Sequence, residues 1–560
     1  MDSQKEFTIA DRAIHRANEA EKKRKSIESL LKELRNYAMP SNEALGLGYS
    51  PTERTGKYAK MLYDNETQLA AIQHAGGVKS WMAPETTRIF DIRPPDVIKN
   101  VTKVAAWCNK LTDRIHRDLA EFGFHAADHS AILDGAVFGH RNIRVHEQPD
   151  SSVLFRHVEC GSYSFLENEA GNVDSVFSFV RMSAREAEQK FGLENLPEEV
   201  QQKLTEDTAA KQGTDEDEYL YACMPRLDTE RDAGMPFLRH NMPFAVLWIH
   251  TKSKKIVSES GSWYPEDHVS RYLKIGRALY GTGAAEMALI ASRCGNELSR
   301  DLDLLIKKRV APPMLVPQET SADDVNVRPG AINFYRDPNR VPKPMLEMGS
   351  TQEGEIRLQQ RNRNIRQAFF LDIFQALSNK TKEMSATEAS LLSEEQIRMF
   401  SPTFALMARE HYQAIILHVV IIRIMQSQMA HVTGDVSRQW FDPVPQEMLT
   451  KDGALAPLQV AFVSKMALAL QAVHAGAFER SMALRMEVAQ VIGPEAFDDL
   501  DLNQALSDID RSRGLPEEWR RSPEEVAALK QQRLEQQQMK EQAEAAGKVA
   551  PLVQATKTGA

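Results

Sequence analysis

The chain has 560 residues, of which 42% are hydrophobic and 26% charged, a composition typical of globular proteins and not of disordered ones. Its length exceeds a single compact core, so about two to four structural units are expected. The formal net charge of −9 argues against tight nonspecific nucleic-acid binding by the whole surface, because such binding requires an excess of Lys and Arg. A local basic patch is still compatible with this net charge.

Cysteine spacing and hydropathy indicate the cellular compartment in which the protein is expected. No two of the four cysteines form a CxxC pair, so neither a zinc site nor a disulfide framework is expected, and a reducing cytosolic origin fits. Residues 1–6 lack the apolar core of a signal peptide. The strongest apolar run, residues 415–422, contains His418, precedes Arg423 and is too short to span a bilayer. We therefore predict a buried helix there and no membrane partner.

The first 140 residues have mainly helical patterns. A helix is predicted over about residues 10–37, with a basic cluster at 22–25 that we interpret as a solvated face. A second is predicted over about residues 58–74, ending at a Gly-Gly pair. Prolines close an extended segment at 90–95, and helical periodicity returns over about residues 97–138.

Short strands are predicted next, between about residues 142 and 275. They are expected at 142–146, 153–158, 175–180, 244–249 and 255–257. Ser183 to Glu186 is a capping box that begins a short helix ending at Gly192. The acidic run at 215–218 has carboxylates for a divalent metal, but no supporting His or second carboxylate motif, so a solvated loop is favoured.

A long helical hairpin is predicted between residues 284 and 377. Ile290, Cys294, Leu298, Leu302 and Leu305 form an apolar stripe on its first helix, which at about 27 residues is a rod of roughly 40 Å. Two consecutive prolines then end it. A proline-rich insert follows, with short strands predicted at 314–316, 325–327 and 332–334.

The second helix of the hairpin changes character along its length. Residues 352–367 are so polar that water is expected around most of the circumference, whereas residues 368–374 are apolar and must enter a core. Lining a water-filled channel is one explanation, and a solvent-exposed strut is the other. Helical patterns dominate the rest of the chain, and residues 547–560 are predicted to be disordered.

Motifs for chemistry are missing from the sequence. It has no GxxxxGK[ST] phosphate loop, no HExxH and no GxSxG. Gly281-Thr-Gly283 lacks the third glycine of a dinucleotide loop. We therefore expect no enzymatic activity, no catalytic residue, no metal and no cofactor.

Short motifs spread across the chain resemble those of the portal, or head-to-tail connector, proteins of short-tailed bacteriophages. Their order, with the hairpin between them, carries the resemblance. The matching residues are Trp81-Met-Ala-Pro84 with Phe90, Asp134-Gly-Ala-Val-Phe-Gly139, Tyr280-Gly-Thr-Gly283, Pro329-Gly-Ala-Ile332, Met384-Ser-Ala-Thr-Glu388, and Ser401-Pro402 through Ala414.

The resemblance implies a predominantly helical α+β portal fold and a subunit of a ring, usually a dodecamer, at one capsid vertex. The implied regions are a mixed α/β wing (1–283), stem helix 1 (284–310), the clip (311–349), stem helix 2 (350–377), a channel loop (378–387), wing and crown connecting helices (388–453), a crown with a barrel-like C-terminal helix (454–546) and the disordered tail (547–560). The Gln-rich C-terminal helix looks too short for a long barrel.

The resemblance also implies partners and site residues. The partners are further copies of the chain, the terminase, a tail adaptor, major capsid and scaffolding proteins, and double-stranded DNA in the channel, within the virion and, during assembly, the host cytoplasm. Candidate channel-lining residues are Arg357, Arg361, Arg363, Asn379, Lys380, Lys382 and Glu383. Candidate clip residues for partner docking are Pro312, Pro313, Arg328, Arg336, Arg340 and Lys343.

Net charge bears on how DNA would pass. Twelve copies would carry twelve times −9, or about −108 formal charges, which keeps phosphate contacts weak. Lumenal cations would add local, salt-dependent contacts, although the arginines can equally pair with carboxylates of the adjacent subunit. Two rival functions are an internal scaffold or tail-adaptor ring without a channel, and a metal-dependent nucleic-acid enzyme that uses the acidic run.

Charge reversal in the predicted channel loop tests its contact with DNA. We expect Lys380→Glu combined with Lys382→Glu to lower the DNA retained in particles, because phosphate attraction becomes repulsion, while ring assembly stays intact. The measurement is DNA per purified particle, with reversal of Lys22 and Lys23 as control. Unchanged DNA content in the loop variant would contradict the assignment.

Overall fold

The computed structural model describes residues 8–41, 59–85, 87–95, 102–148, 150–205, 216–232, 238–310, 314–315, 343–344, 351–372, 401–435, 438–449 and 455–463, together with a few positions further on. The chain divides into two compact units, Met1–Ser464 and Lys465–Ala560. Nearly all described residues belong to the first unit, and its mixture of helices and strands agrees with the predicted α+β class.

The described strands form antiparallel sheets. They are β1 (Phe90–Arg93), β2 (His140–Glu147), β3 (Val153–Val158), β4 (Ser164–Glu167), β5 (Val173–Ser183), β6 (Glu216–Pro225), β7 (Phe244–His250), β8 (Ile256–Ser262), β9 (Asp267–Arg271), β10 (Met314–Leu315), β11 (Lys343–Pro344) and β12 (Gln459–Phe462). Strands β4 to β8 form a five-stranded meander, and β2 lies between β3 and β9 in a three-stranded sheet. Strand β1 pairs with β12, and β10 with β11.

The described helices account for most of the remaining residues. They are α1 (Ile9–Ser26), α2 (Glu28–Ala38), α3 (Glu66–Met82), α4 (Thr102–Glu121), α5 (Phe124–Phe138), α6 (Ala184–Phe191), α7 (Glu198–Thr205), α8 (Ala284–Val310), α9 (Gln352–Ala368) and α10 (Ser401–Thr433). Helix α10 contains a π-helical segment, Ala408–Gln413.

Several local predictions for residues 1–283 are wrong. The single helix predicted over about residues 10–37 is two helices, α1 and α2, with Ile27 between them. Helix α3 continues through Gly76 and Gly77 to Met82, because burial of Val78 and Met82 outweighs the cost of about 1 kcal/mol per glycine. The acidic run is not a solvated loop where the structure describes it: residues 216–218 begin β6, and Asp217 forms a 2.7 Å ion pair with Lys203.

The prediction that the basic cluster at 22–25 is a solvated face is also wrong in part, because one of its side chains is buried. Arg24 is buried and lies 3.6 Å from Glu21 and 3.8 Å from Glu28. Its neighbours in the cluster are exposed, as predicted. A long side chain can bury its stem while its charge meets nearby carboxylates, here Glu21 on the same helix and Glu28 at the start of α2.

Helix α10 is a core element. Among the described residues it is the one helix long and apolar enough to cross a membrane, but half of its apolar window is buried within the protein. Arg423 lies inside, 2.6 Å from Asp118, and His418 lies 3.0 Å from His268 of β9. The predicted burial of residues 415–422 is confirmed, because polar side chains of other elements satisfy the charged groups of this helix.

Several histidines are enclosed in the core. Burial lowers the pKa of His74, His140 and His411 to about 4 and that of His268 to about 3. For a histidine whose pKa is lower when folded, the contribution to stability is complete above the unfolded pKa of about 6.5 and is lost as pH falls toward the folded value.

We therefore expect the free energy of unfolding to fall between about pH 6.5 and pH 4, by about 1.4 kcal/mol per pH unit for each such group. His146 and His157 have raised pKa values, so they stabilise the fold at low pH, but the four histidines with lowered pKa values outnumber them. Urea unfolding followed by tryptophan fluorescence over this range provides the measurement. A flat profile would contradict the prediction, and His268→Asn, which does not titrate, should reduce the slope.

Candidate functional site: an anchored helical hairpin

Helices α8 and α9 pack side by side as a hairpin. The sequence predicts the first helix over 284–310, and α8 has those bounds. A Cβ atom on Gly354 would lie 2.6 Å from Cδ2 of Leu302, and one on Gly295 would lie 3.9 Å from Cβ of Arg361. Small residues thus let the two helices approach closely.

The base of the hairpin enters a hydrophobic core. Helix α8 contributes small residues and packs on α2, α3 and α5, whereas α9 and the residues just after it contribute larger side chains and α9 packs on α3. The buried hairpin residues of this cluster are Ala284, Ala285, Ala288, Leu289, Ala291, Ile365, Phe369 and Leu371. The predicted change from a wet to a packed environment along the second helix is confirmed for the described residues 351–372.

Polar contacts fasten the same base to α2, α3 and the segment before α3. The hydroxyls of Thr67 and Ser292 form a buried hydrogen bond of 2.7 Å. Two ion pairs join Arg293 to Glu33 and Arg366 to Glu66, each at 2.6 Å. Two further hydrogen bonds, each of 2.7 Å, join the Tyr63 amide to Oδ1 of Asn296 and the ring of His74 to the Phe369 carbonyl. The hairpin is therefore held in position by both its apolar and its polar residues.

Two glycine motifs meet where the hairpin begins. Gly139 has a φ of 81°, and a Cβ atom on it would lie 2.0 Å from the Gly281 carbonyl oxygen. Conversely, a Cβ atom on Gly281 would lie 2.4 Å from the Gly139 oxygen, and one on Gly283 would lie 2.7 Å from that of Ala136. No side chain fits at these positions, so glycine is required where the α5–β2 turn crosses the chain entering α8.

Asp134, in the first of these motifs, holds the neighbouring turn. Its carboxylate accepts a hydrogen bond from the Cys160 amide (2.9 Å) and lies 2.9 Å from Nε2 of His157. Sequence reasoning singled out both motifs but did not predict that they touch.

The hairpin exposes apolar side chains both on the outer side of its base and further along its two helices. Within the predicted apolar stripe, Leu298, Leu302 and Leu305 are half-buried, whereas Ile290 is 72% exposed. Further exposed apolar residues on the two helices are Met287, Leu304, Ile306, Val310 and Ile356. Exposed apolar residues on a long projecting element indicate a surface for another molecule.

Of the three candidate arginines of α9, Arg357 and Arg361 are four residues apart and lie on one side of the helix, whereas Arg363 is turned away from both. Arg361 is half-buried and packs toward α8 at Gly295. Arg363, two residues later, points about 160° away from it, and both it and Arg357 are exposed. Among the described residues, no carboxylate forms an ion pair with any of the three. Arg357 and Arg363 are thus presented outward, and Arg361 is not.

The hairpin is positively charged, although the chain is not. Residues 284–310 and 352–368 contain nine Lys and Arg against six Asp and Glu, a net charge of +3, within a chain of net charge −9. Three of the cations, residues 307–309, lie in the last turn of α8, where they also interact favourably with the helix dipole.

Other predicted site residues lie outside the described part of the chain. These are Asn379, Lys380, Lys382 and Glu383 of the predicted channel loop, and Pro312, Pro313, Arg328, Arg336 and Arg340 of the predicted clip. Lys343 lies in β11, where it pairs with Leu315. The strand predicted at 314–316 is confirmed at Met314–Leu315, and those at 325–327 and 332–334 lie outside the described residues.

Comparison with known proteins identifies the family. Residues 10–519 match the family described as bacteriophage head to tail connecting protein. Since this match covers most of the chain, the protein belongs to that family, and the resemblance inferred from the motifs is confirmed.

Curated relatives bear the more particular name. The chain is 24% identical over 528 residues to the "Probable portal protein" of Bordetella phage BPP-1, covering 93% of this chain and 90% of that protein. It is 21% identical over 541 residues to the "Portal protein" of Salmonella phage epsilon15, covering 95% and 92%. Neither the family nor these relatives are described as enzymes.

The glycine crossing makes a direct prediction. Gly281→Ala places a Cβ against a backbone oxygen, which cannot move without shifting α5 or the start of α8. We expect a loss of several kcal/mol of stability, seen as a lower thermal midpoint or loss of soluble protein. Gly76→Ala is the matched control, since nothing lies within 4 Å of its Cβ and alanine favours the helix by about 1 kcal/mol. Equal midpoints for the two variants would contradict the role of the crossing.

Proposed function

We propose that the protein is a phage portal subunit. Copies of it form a ring at one capsid vertex, and the ring is the channel through which DNA is packaged and ejected. It is also the platform on which the terminase and later the tail adaptor dock. Membership of the head to tail connecting family carries this proposal, and the anchored hairpin supplies a physical basis for it.

Ring formation follows from the exposed apolar residues of the hairpin. Each large apolar side chain contributes about 1.5–3 kcal/mol when it is fully buried, and Ile290, Val310 and Ile356 are all more than half exposed. A neighbouring copy that contacts these residues would bury them. Because one face of the hairpin then meets a different face of the next copy, the contact is heterologous and closes into a ring at a suitable rotation.

The channel wall is formed by the hairpins in this arrangement. Their net charge of +3 per copy attracts phosphates, while the acidic remainder of the subunit limits the attraction. Arg357 and Arg363 are the described cations that we assign to DNA contact, with Arg361 positioning α9 against α8. Ion pairing of these arginines with exposed carboxylates of an adjacent copy is the competing arrangement.

Docking is assigned to the end of the hairpin. The proposed clip, residues 311–349, connects the C-terminal end of α8 to the N-terminal end of α9, and these two helix ends lie at the far end of the hairpin from the anchored base. We propose that its prolines and its basic residues Arg328, Arg336, Arg340 and Lys343 contact the terminase and the tail adaptor. The major capsid and scaffolding proteins would contact the wing, within the virion vertex.

Electron microscopy of the purified protein, viewed end-on, tests the ring. We expect closed rings, dodecamers by resemblance to the family, with a central hole about as wide as duplex DNA. Ile290→Asp places a charge in the proposed contact and should yield folded monomers. Leu193→Asp, at a 45% exposed wing position, should leave rings intact. Monomers alone for the unaltered protein, or rings of equal yield with Ile290→Asp, would refute the proposed contact.

A further inference from the structure

We propose that the wing encloses a binding site for one small monovalent anion, of the size and charge of chloride, at the guanidinium of Arg141. This inference concerns the core beside the hairpin base and does not depend on the proposed function. No ring, channel or partner is needed for it.

The site lies on one face of the three-stranded sheet. Arg141 of β2 is in register with Ser270 of β9, and the Tyr272 amide donates to the Gly139 carbonyl at 2.9 Å. Side chains directly opposite each other, and those two residues apart on one strand, share a face. Arg141 and Tyr272 are therefore diagonal neighbours on this face, and the backbone of Gly281 and Gly283 occupies the side-chain position of Gly139 beside them.

Two buried side chains on this face carry donors that lack partners among the described residues. Arg141 is fully buried, and its Nε donates to the Ser270 hydroxyl at 2.8 Å. Its Nη1 and Nη2 atoms, and the hydroxyl of the buried Tyr272, have no hydrogen-bond partner among the described residues. A guanidinium has no acceptor, so whatever satisfies these four N–H groups must accept hydrogen bonds.

The nearby carboxylates are already engaged. Glu410 of the π-helical segment accepts from the amide and the Nε of Arg271, at 3.0 and 3.2 Å. Asp128 is contacted by three side chains, those of His411 (2.8 Å), Lys79 (3.3 Å) and Tyr412 (3.2 Å). The charges of Lys79 and Arg271 are thus balanced by Asp128 and Glu410, whereas the charge of Arg141 has no paired carboxylate.

An anion fits these conditions better than a water molecule. Leaving a buried charge and several donors unpaired costs several kcal/mol. An anion accepts from every donor and offsets the charge, while a water molecule must also find acceptors for its own two hydrogens. Helix α5 limits the size of the occupant, because Gly135 packs against Arg141: a Cβ there would lie 3.2 Å from Cδ and 3.5 Å from Nη1.

A bound anion would connect the three-stranded sheet to the base of the hairpin. Arg141 belongs to β2, while Tyr272 packs in the buried cluster that holds Ala284 and Ile365. One ion that accepts hydrogen bonds from both side chains links the sheet to the core in which α8 and α9 are seated. Binding to the folded state alone then raises its stability with anion concentration.

The test is the thermal unfolding midpoint at neutral pH and fixed ionic strength, with chloride replaced stepwise by gluconate, which is too large for the site. We expect the midpoint to rise by about 1–2 °C per tenfold increase in chloride above the dissociation constant. Arg141→Gln should abolish this response. Tyr272→Phe removes one donor and should shift the response to higher chloride without unfolding the chain.

A chloride-independent midpoint, or an undiminished response in Arg141→Gln, would overturn the proposal. Bromide gives a second measurement that does not require a variant to fold. In crystals soaked in bromide, an anomalous peak is expected within hydrogen-bond distance of the Arg141 Nη atoms. Density there without an anomalous signal would assign the site to water and refute the anion.

Discussion

The close approach of two backbone segments at Gly139 and Gly281 is the constraint on which the rest of the structure depends. The first segment ends α5 and begins β2, and the second leads directly into α8. Fixing one segment against the other fixes where the hairpin begins relative to α5 and β2. Neither glycine can be replaced without moving the backbone, because a Cβ added at Gly139 or Gly281 would lie 2.0–2.4 Å from the carbonyl oxygen of the other. Packing density of this kind transmits displacement instead of absorbing it.

Around this crossing the anchorage is redundant. The apolar cluster excludes water from the base, and ion pairs and hydrogen bonds on its rim fix the rotation of α8 and α9 about their axes. Each exposed ion pair contributes little alone, but Arg293 attaches α8 to α2 and Arg366 attaches α9 to α3. A rod fixed in this way at one end can bear load at the other, as a connector between head and tail must.

The periodic features could be predicted from sequence. The bounds of α8 follow from a glycine pair before it and prolines after it, and the entry of α9 into a core follows from its change of polarity. The contact between the two glycine motifs could not be predicted, because two segments about 140 residues apart give no local sign of touching. Burial likewise depends on partners, which is why Arg24, Ile290 and the helix through Gly76 escaped single-sequence reasoning.

The π-helical segment of α10 was also beyond prediction, and its function in the core is specific. Consecutive residues of an α-helix diverge by about 100°, yet Glu410, His411 and Tyr412 all reach buried partners: Glu410 contacts Arg271, and the other two contact Asp128. The widened turn permits this. Other side chains thereby engage Glu410 and Asp128, and in the part of the chain that the structure describes neither carboxylate forms an ion pair with Arg141.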